Sequence, residues 1–227
     1  MRGSFEFSVC KCHNVAVQSP DVRLRVLPTV LVINGSLGRD LGNTAAVLEL
    51  LIGHFNGDCN VEVLHLATPN SATESLERSL RGADAFVFAT GTYWDSWGSP
   101  LQQFFEQTTQ WEGSDIWLGK PAAVIVTMHS VGGKGVLSRI QGVLSSLGCL
   151  IPPMTGLPYS LACHIALAQT TTQLPADEFW QLDDCAAVAH NLLEAVRGGR
   201  NWKVWAVDRS IPGRWMPDAD SVRSGGG

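Results

Sequence analysis

Ser36, Gly38, Arg39, Gly42, Asn43 and Thr44 fall in one short stretch that follows directly on the apolar run Val30-Leu31-Val32-Ile33. Hydroxyls, a guanidinium and closely spaced glycines suit the capture of an anion. Glycine lets the backbone approach a ligand, and the first turn of a following helix offers unpaired N–H groups at the positive end of its dipole. Val47, Leu48, Leu51, Ile52 and Phe55 recur at helical spacing just beyond, so the stretch reads as strand, anion loop, helix. The plainer reading is a capped turn with Asn43 as N-cap, because Gly, Ser and Asn are ordinary turn residues. This is not a P-loop, since neither Gly119-Lys120-Pro121 nor Gly133-Lys134-Gly135 has the required Ser or Thr after its lysine. Nor does it spell G-x-G-x-x-G, and the strand expected at Val61 to Leu66 ends at Ala67 and Thr68 without an acidic residue to hold a ribose. A terminal monophosphate is the anion that remains.

Two further stretches carry ligand-binding chemistry. Gly91-Thr92-Tyr93-Trp94, with Trp97 close behind, places aromatics after an apolar run, and Met128-His129-Ser130-Val131-Gly132-Gly133 follows another. An anion cradle, an aromatic wall and a glycine loop together suit a planar ring attached to a phosphate, because aromatics stack on π-faces and close backbone hydrogen-bonds a ring edge. Against this stand plainer readings: a packing cluster for Tyr93, Trp94 and Trp97, a strand-end histidine for His129, structural roles for His65 and His164, and a solvated charge for Asp95. A different chemistry is a serine hydrolase with Ser130 as nucleophile in a strand-to-helix elbow, although His129 replaces the small residue such an elbow needs and no triad partner stands out.

The elements that must position these loops alternate. Strands are expected at Val30 to Ile33, Val61 to Leu66, Asp84 to Thr90, Pro121 to Met128 and, briefly, Cys149 to Ile151; helices from about Asn43, Thr73, Ser99 and Val136, and over Phe179 to Val196. Ser99-Pro100-Leu101-Gln102 has the form of a capping box with proline at N1. The segment from Pro152 to Pro175 has no clear pattern. Alternating strands and helices predict a parallel sheet covered on both faces, and in a doubly wound α/β fold of order 2-1-3-4-5 the switch point lies between the first and third strands. Such folds bind ligands at the carboxyl ends of the strands, by the switch point.

The chain has 227 residues, a formal net charge of −5 and 45% hydrophobic residues, which suits one α/β domain with a large core. The charge and the lack of any basic run exclude a nucleic-acid surface, and no apolar stretch approaches the roughly 20 residues of a membrane helix. The six cysteines are scattered in a chain too large to need disulfides, so reduced thiols and a cytoplasmic location are expected. Cys10-Lys11-Cys12-His13 lacks a second ligand pair, and no metal site is expected. The domain is bounded at 28-198, with an N-terminal extension (1-27) in which Val22, Leu24 and Val26 alternate as a strand would, and a C-terminal tail (199-227) whose Trp202, Trp205 and Trp215 suggest a partner subunit.

Taken together, the residues resemble the NADPH-dependent FMN reductases, flavodoxin-like flavoproteins. Gly35-Ser36-x-x-Arg39-x-x-Gly42-Asn43-Thr44 is similar to that family's phosphate loop. Thr92-Tyr93-Trp94 with Ser99-Pro100-Leu101 resembles its second flavin loop, and Gly119-Lys120-Pro121 through Ser130-x-Gly132-Gly133 its fourth strand and third loop. The resemblance implies a flavodoxin-like three-layer sandwich binding FMN, with NADPH or NADH as co-substrate and a quinone, flavin, azo dye or similar small molecule as acceptor. It implies Ser36, Gly38, Arg39, Gly42, Asn43 and Thr44 at the phosphate, and Gly91, Thr92, Tyr93, Trp94, His129, Ser130, Gly132 and Gly133 around the ring. No side chain is catalytic, the flavin carrying the chemistry, and a homodimer or homotetramer is implied. The chain departs from the family at Gly91, where proline is usual, and at Met128 and His129, where small polar residues are. The cysteines of the iron–sulfur branch are absent. A flavodoxin-type electron carrier shares the fold and the flavin; Arg39 and the moderate charge favour the reductase.

Overall fold

The computed structural model describes residues 27–68, 73–169 and 181–198. The extensions beyond them, with the expected strand at Val22 to Val26 and the tail tryptophans, lie outside the described residues, as does Phe179. In chain order the elements are β1 (Thr29–Asn34), α1 (Asn43–Gly53), β2 (Asn60–His65), α2 (Thr73–Gly82), β3 (Ala85–Gly91), α3 (Ser99–Thr108), β4 (Ala122–Met128), α4 (Gly133–Leu147), β5 (Gly156–Ser160), α5 (Leu161–Gln169) and α6 (Cys185–Arg197). The five strands are all parallel, in the order β2-β1-β3-β4-β5. This is the expected flavodoxin-like sandwich.

Both faces of the sheet are covered, which is why its central strands are apolar runs rather than alternating ones. Leu31, Ile33, Phe86, Phe88, Val124 and Val126 join Leu80 of α2, Phe104 and Phe105 of α3 and Ile140 and Leu144 of α4 in one buried cluster. Val30, Val32, Val87, Ala89 and Ile125, the alternate residues of the same strands, meet Val47 and Leu51 of α1 and Val188 and Leu192 of α6 in the other. Each large buried side chain contributes about 1.5–3 kcal/mol. The aromatic cluster of Phe86, Phe88, Phe104, Phe105 and Trp117, with ring centroids 5.1–6.4 Å apart, fixes α3 against β3. Lys120 ties α2 to the same face: its Nζ lies 5.6 Å over the Phe86 ring and donates to the Leu80 and Arg81 carbonyls at the end of α2, both at 3.0 Å, and burial lowers its pKa.

Three local expectations are corrected. Cys149-Leu150-Ile151 is not the fifth strand: Leu150 makes only an isolated bridge to Pro121, because Pro152-Pro153 removes two N–H donors and turns the chain away. The strand forms at Gly156–Ser160, paired to β4 through Val124↔Gly156 to Met128↔Ser160, and tolerates Pro158 because it is an edge strand. The capping box at Ser99 is not made. Helix α3 begins one residue earlier with Gly98 as N-cap, and the Gln102 amide instead accepts from Trp97 Nε1 (2.9 Å) and donates to Glu106 (2.8 Å). Likewise Gly42, at φ 97°, caps α1, and Asn43 is its first helical residue.

Candidate functional site

Three strand ends meet at the switch point. β1 ends at Asn34, in register with His65 of β2 and Ala89 of β3; β3 ends at Gly91 opposite Thr127, and β4 ends at Met128. The loops that follow them lie at one edge of the sheet.

The first loop is built around a close approach. Gly35 N–H bonds the Ala89 carbonyl (2.8 Å), and a Cβ on Gly35 would come within 2.6 Å of Leu101 Cβ, so only glycine lets α3 sit this near. Asn34 Oδ1 accepts from Ser36 N–H (3.0 Å) and Asn34 Nδ2 donates to the Arg39 carbonyl (2.6 Å). Arg39 itself is left-handed at φ 55°, exposed, and its guanidinium has no partner among the described residues. The first bond of α1 runs from Ala46 N–H to the Gly42 carbonyl (3.1 Å), which leaves the N–H groups of Asn43, Thr44 and Ala45 without an acceptor among the described residues. Beside them Ser36 Oγ is buried and unpartnered. Thr44 Oγ1 is held at 2.7 Å from Thr127 Oγ1 on β4; one hydroxyl donates to the other, and one hydrogen is left over.

The second loop is a tight hairpin, Tyr93 and Ser96 exchanging backbone bonds of 2.8 and 2.9 Å. Tyr93 OH accepts from Leu37 N–H (3.2 Å), tying it to the first loop. Arg139 of α4 donates to the Asp95 carbonyl and lies 5.4 Å over the Trp97 ring. In the third loop Gly132, at φ 91°, caps α4, and a Cβ there would meet Asp95 Oδ1 at 2.2 Å; Gly133 N–H bonds Met128 Sδ at 3.1 Å.

These loops enclose an open cleft of about 200 Å³. It is lined by Ser36, Gly38, Leu41, Gly42, Asn43 and Thr44 from the first loop and α1, by Gly91, Thr92 and Tyr93 from the second, and by Thr127, Met128 and His129 at the end of β4. No carboxylate, lysine or arginine lines it, so the helix dipole and free N–H groups of α1 supply its positive potential. Thr92 Oγ1, like Ser36 Oγ, is a buried hydroxyl without a partner. A cleft lined by unpaired donors fits a phosphorylated ligand.

Nine of the residues picked from sequence therefore line the cleft, and five do not. Arg39 stands free on its rim. Trp94 is fully exposed at the hairpin tip, Ser130 is exposed, and Gly132 and Gly133 are required by packing against Asp95 and Met128. Trp97 is a packing residue, edge-on to Phe105 at 6.0 Å. Sequence reasoning missed Asn34, Leu41 and Thr127, and it did not place Met128, which lines the cleft, among the site residues. Asn34 and Thr127 are polar residues in otherwise apolar strands, and that was their signal.

The hydrolase geometry is missing. Ser130 is not among the left-handed residues, its hydroxyl bonds no histidine or carboxylate among the described residues, and its carbonyl is taken by Ser160 Oγ (3.1 Å). Among the described residues no cysteine lines the cleft, and burial pushes Cys149 up to about 12 and Cys185 up to about 11. No group of three or more His, Cys, Asp or Glu able to hold a metal occurs among the described residues, and no helix among them is long and apolar enough to cross a membrane.

Solved structures share this fold. A flavoenzyme NAD(P)H:acceptor oxidoreductase from Paracoccus denitrificans is 22% identical with a TM-score of 0.53, covering 75% of this chain and 96% of its own. A WrbA-like flavodoxin from Agrobacterium tumefaciens is 16% identical at 0.55, covering 76% and 99%. An NADH:FMN oxidoreductase in its apo form is 18% identical at 0.56, covering 75% and 89%. At these identities the likeness is one of fold. No curated protein matches the chain. The family described as NADPH-dependent FMN reductase matches residues 28–157, which include all three loops, and the chain belongs to it.

Proposed function

We propose that the protein is an NAD(P)H-dependent oxidoreductase that holds FMN in this cleft, takes a hydride from NADPH or NADH, and passes electrons to a quinone, flavin, azo compound or similar small acceptor. The observation that carries the reading is the buried, unpartnered Ser36 Oγ beside three unclaimed N–H groups at the start of α1, in a chain of the FMN reductase family. FMN, when bound, supplies the redox chemistry.

The chain supplies position. Ser36 Oγ, the N–H groups of Asn43, Thr44 and Ala45, and the spare hydroxyl hydrogen of the Thr44–Thr127 pair donate to phosphate oxygens, and Gly38 and Gly42 let the backbone close on them. Arg39, free on the rim, adds its charge from the solvent side. Gly91, Thr92, Tyr93 and His129 bound the side of the cleft away from α1 and meet the ring, with the unpartnered Thr92 hydroxyl as a donor. Because the flavin and the nicotinamide carry the chemistry, turnover depends on holding two planar partners face to face. The exposed Leu37, Leu41, Trp94 and Val131 around the mouth support a homodimer or homotetramer covering the site. The free cysteines among the described residues and the nicotinamide donor fit a cytoplasmic setting.

The test is anaerobic. Protein incubated with FMN and freed of excess is expected to retain the flavin and lose its visible absorbance on adding NADPH or NADH. Failure to retain FMN contradicts the site; retained FMN that neither nucleotide reduces supports an electron carrier instead.

A further inference from the structure

We infer that Asn34 is the positioning residue of the phosphate loop: a buried amide at the tip of β1 that pins both ends of Ser36–Arg39 and so aims the Ser36 hydroxyl and the backbone of the loop at the phosphate. The inference rests on the FMN reading above and extends it to a residue that does not itself line the cleft.

Asn34 is wholly buried, in a strand whose other buried residues are apolar. A primary amide in such a place is costly unless its donors and acceptor are used. All are used here, and mostly on the loop. Oδ1 accepts from Ser36 N–H at 3.0 Å, Nδ2 donates to the Arg39 carbonyl at 2.6 Å, and Nδ2 lies 3.3 Å from His65 Nδ1 on β2. The orientation of the amide is unambiguous, since one partner is a backbone N–H and the other a backbone carbonyl.

The consequences run outward from this one side chain. The Ser36 N–H is drawn inward, towards the strand, and the Ser36 hydroxyl is left on the cleft wall, 3% exposed at the residue and without a partner. The Arg39 carbonyl is also drawn inward, and Arg39 is held at φ 55°, a region non-glycine residues avoid. Arg39 N–H returns to the Ser36 carbonyl at 3.4 Å and Leu41 N–H to the Gly38 carbonyl at 2.9 Å, so the loop is folded on itself before any ligand arrives. Without the amide nothing else described holds Ser36 N–H or the Arg39 carbonyl, and the donors would have to be ordered at the moment of binding. The effect is confined to the phosphate end; the ring is met by other loops.

The test exploits that confinement, because riboflavin has the same ring without the phosphate. Dissociation constants for FMN and riboflavin are measured by fluorescence titration on the full chain and on Asn34→Asp and Asn34→Leu, with the unfolding midpoint of each. Asn34→Asp keeps the acceptor for Ser36 N–H but loses the donor to Arg39 and adds a negative charge beneath the phosphate; Asn34→Leu loses both bonds at similar size. Both are expected to lose FMN affinity by about tenfold or more, the aspartate more than the leucine, with riboflavin affinity changed by less than about threefold. Folded variants in which the two affinities fall together, or neither falls, overturn the inference. A wild-type chain that binds FMN no better than riboflavin overturns the FMN reading and the inference with it, whereas preserved FMN preference in both variants overturns the inference alone. If neither variant folds, amide hydrogen exchange on the wild-type chain decides. Slow exchange of Ser36 N–H without ligand, and slowing of Asn43 and Thr44 N–H only with FMN, supports the pinning; fast exchange of Ser36 N–H refutes it.

Discussion

Ser36 places binding and stability in opposition. Its hydroxyl is buried with no hydrogen-bond partner, which costs the ligand-free protein about 1–3 kcal/mol relative to a satisfied group. Once a phosphate oxygen is present, the same hydroxyl makes a charge-assisted bond of about 1.5–3 kcal/mol. Ser36→Ala is therefore expected to raise the unfolding midpoint of the FMN-free protein while weakening FMN by about one to two decades, read by thermal denaturation and flavin titration. A variant that loses midpoint and keeps its affinity would show that Ser36 packs rather than binds. At this scale part of the lining was readable: the serine, glycines and threonine between a strand and a helix, whose types suit an anion, do line the cleft. Asn34 and Thr127 showed only as polar residues in apolar runs, and their roles did not: Thr127 lies 83 residues from its partner Thr44, and Asn34 bonds Ser36 and Arg39 through a loop conformation that residue types alone do not announce.

The hairpin Tyr93–Ser96 carries at its tip a residue, Trp94, that its turn does not favour. Trp94 and Asp95 have φ of 49° and 58°, the sign pattern of a type I′ turn, for which Asn-Gly is the preferred pair. A bulky residue held left-handed is a genuine outlier, and here it is also fully exposed, so no core contact offsets the strain. What does offset it is the frame: Tyr93 OH on Leu37 N–H, Arg139 on the Asp95 carbonyl, and Trp97 packed on Phe105. Replacing the tip, Trp94→Asn with Asp95→Gly, is expected to raise the denaturant midpoint by the equivalent of about 1 kcal/mol, because both residues then accept the backbone they are given. A fall in the midpoint would mean that the Trp94 ring contributes packing that its exposure denies. Turn geometry of this kind is hard to read in sequence, where Tyr-Trp-Asp-Ser lacks the Asn-Gly pair that marks a type I′ turn, and the aromatic wall expected there resolves into three different fates for Tyr93, Trp94 and Trp97.

Across the whole molecule, the parallel sheet, its two covering layers and the edge at which the cleft opens follow from alternating apolar runs and helical faces, because a doubly covered parallel sheet is the arrangement that buries them. The two inner faces separate residue by residue along β1, Leu31 and Ile33 to one side and Val30 and Val32 to the other. The failure came at the β5 edge: β5 contains a proline and only five residues, and its apolar decoy at Cys149 to Ile151 has the stronger pattern but is stopped by Pro152-Pro153. α5 was likewise unseen, its residues showing no helical periodicity and little burial. The central claim, that the loop after β1 holds the phosphate of FMN, is tested most directly by a crystal structure of the chain soaked or grown with FMN. The account predicts the phosphate within hydrogen-bond distance of Ser36 Oγ and of the Asn43 and Thr44 N–H groups, with the Asn34 amide still bonded to Ser36 and Arg39. A phosphate bound anywhere else on the protein, or a flavin seated with its ring on the Ser36 to Thr44 loop, would contradict it.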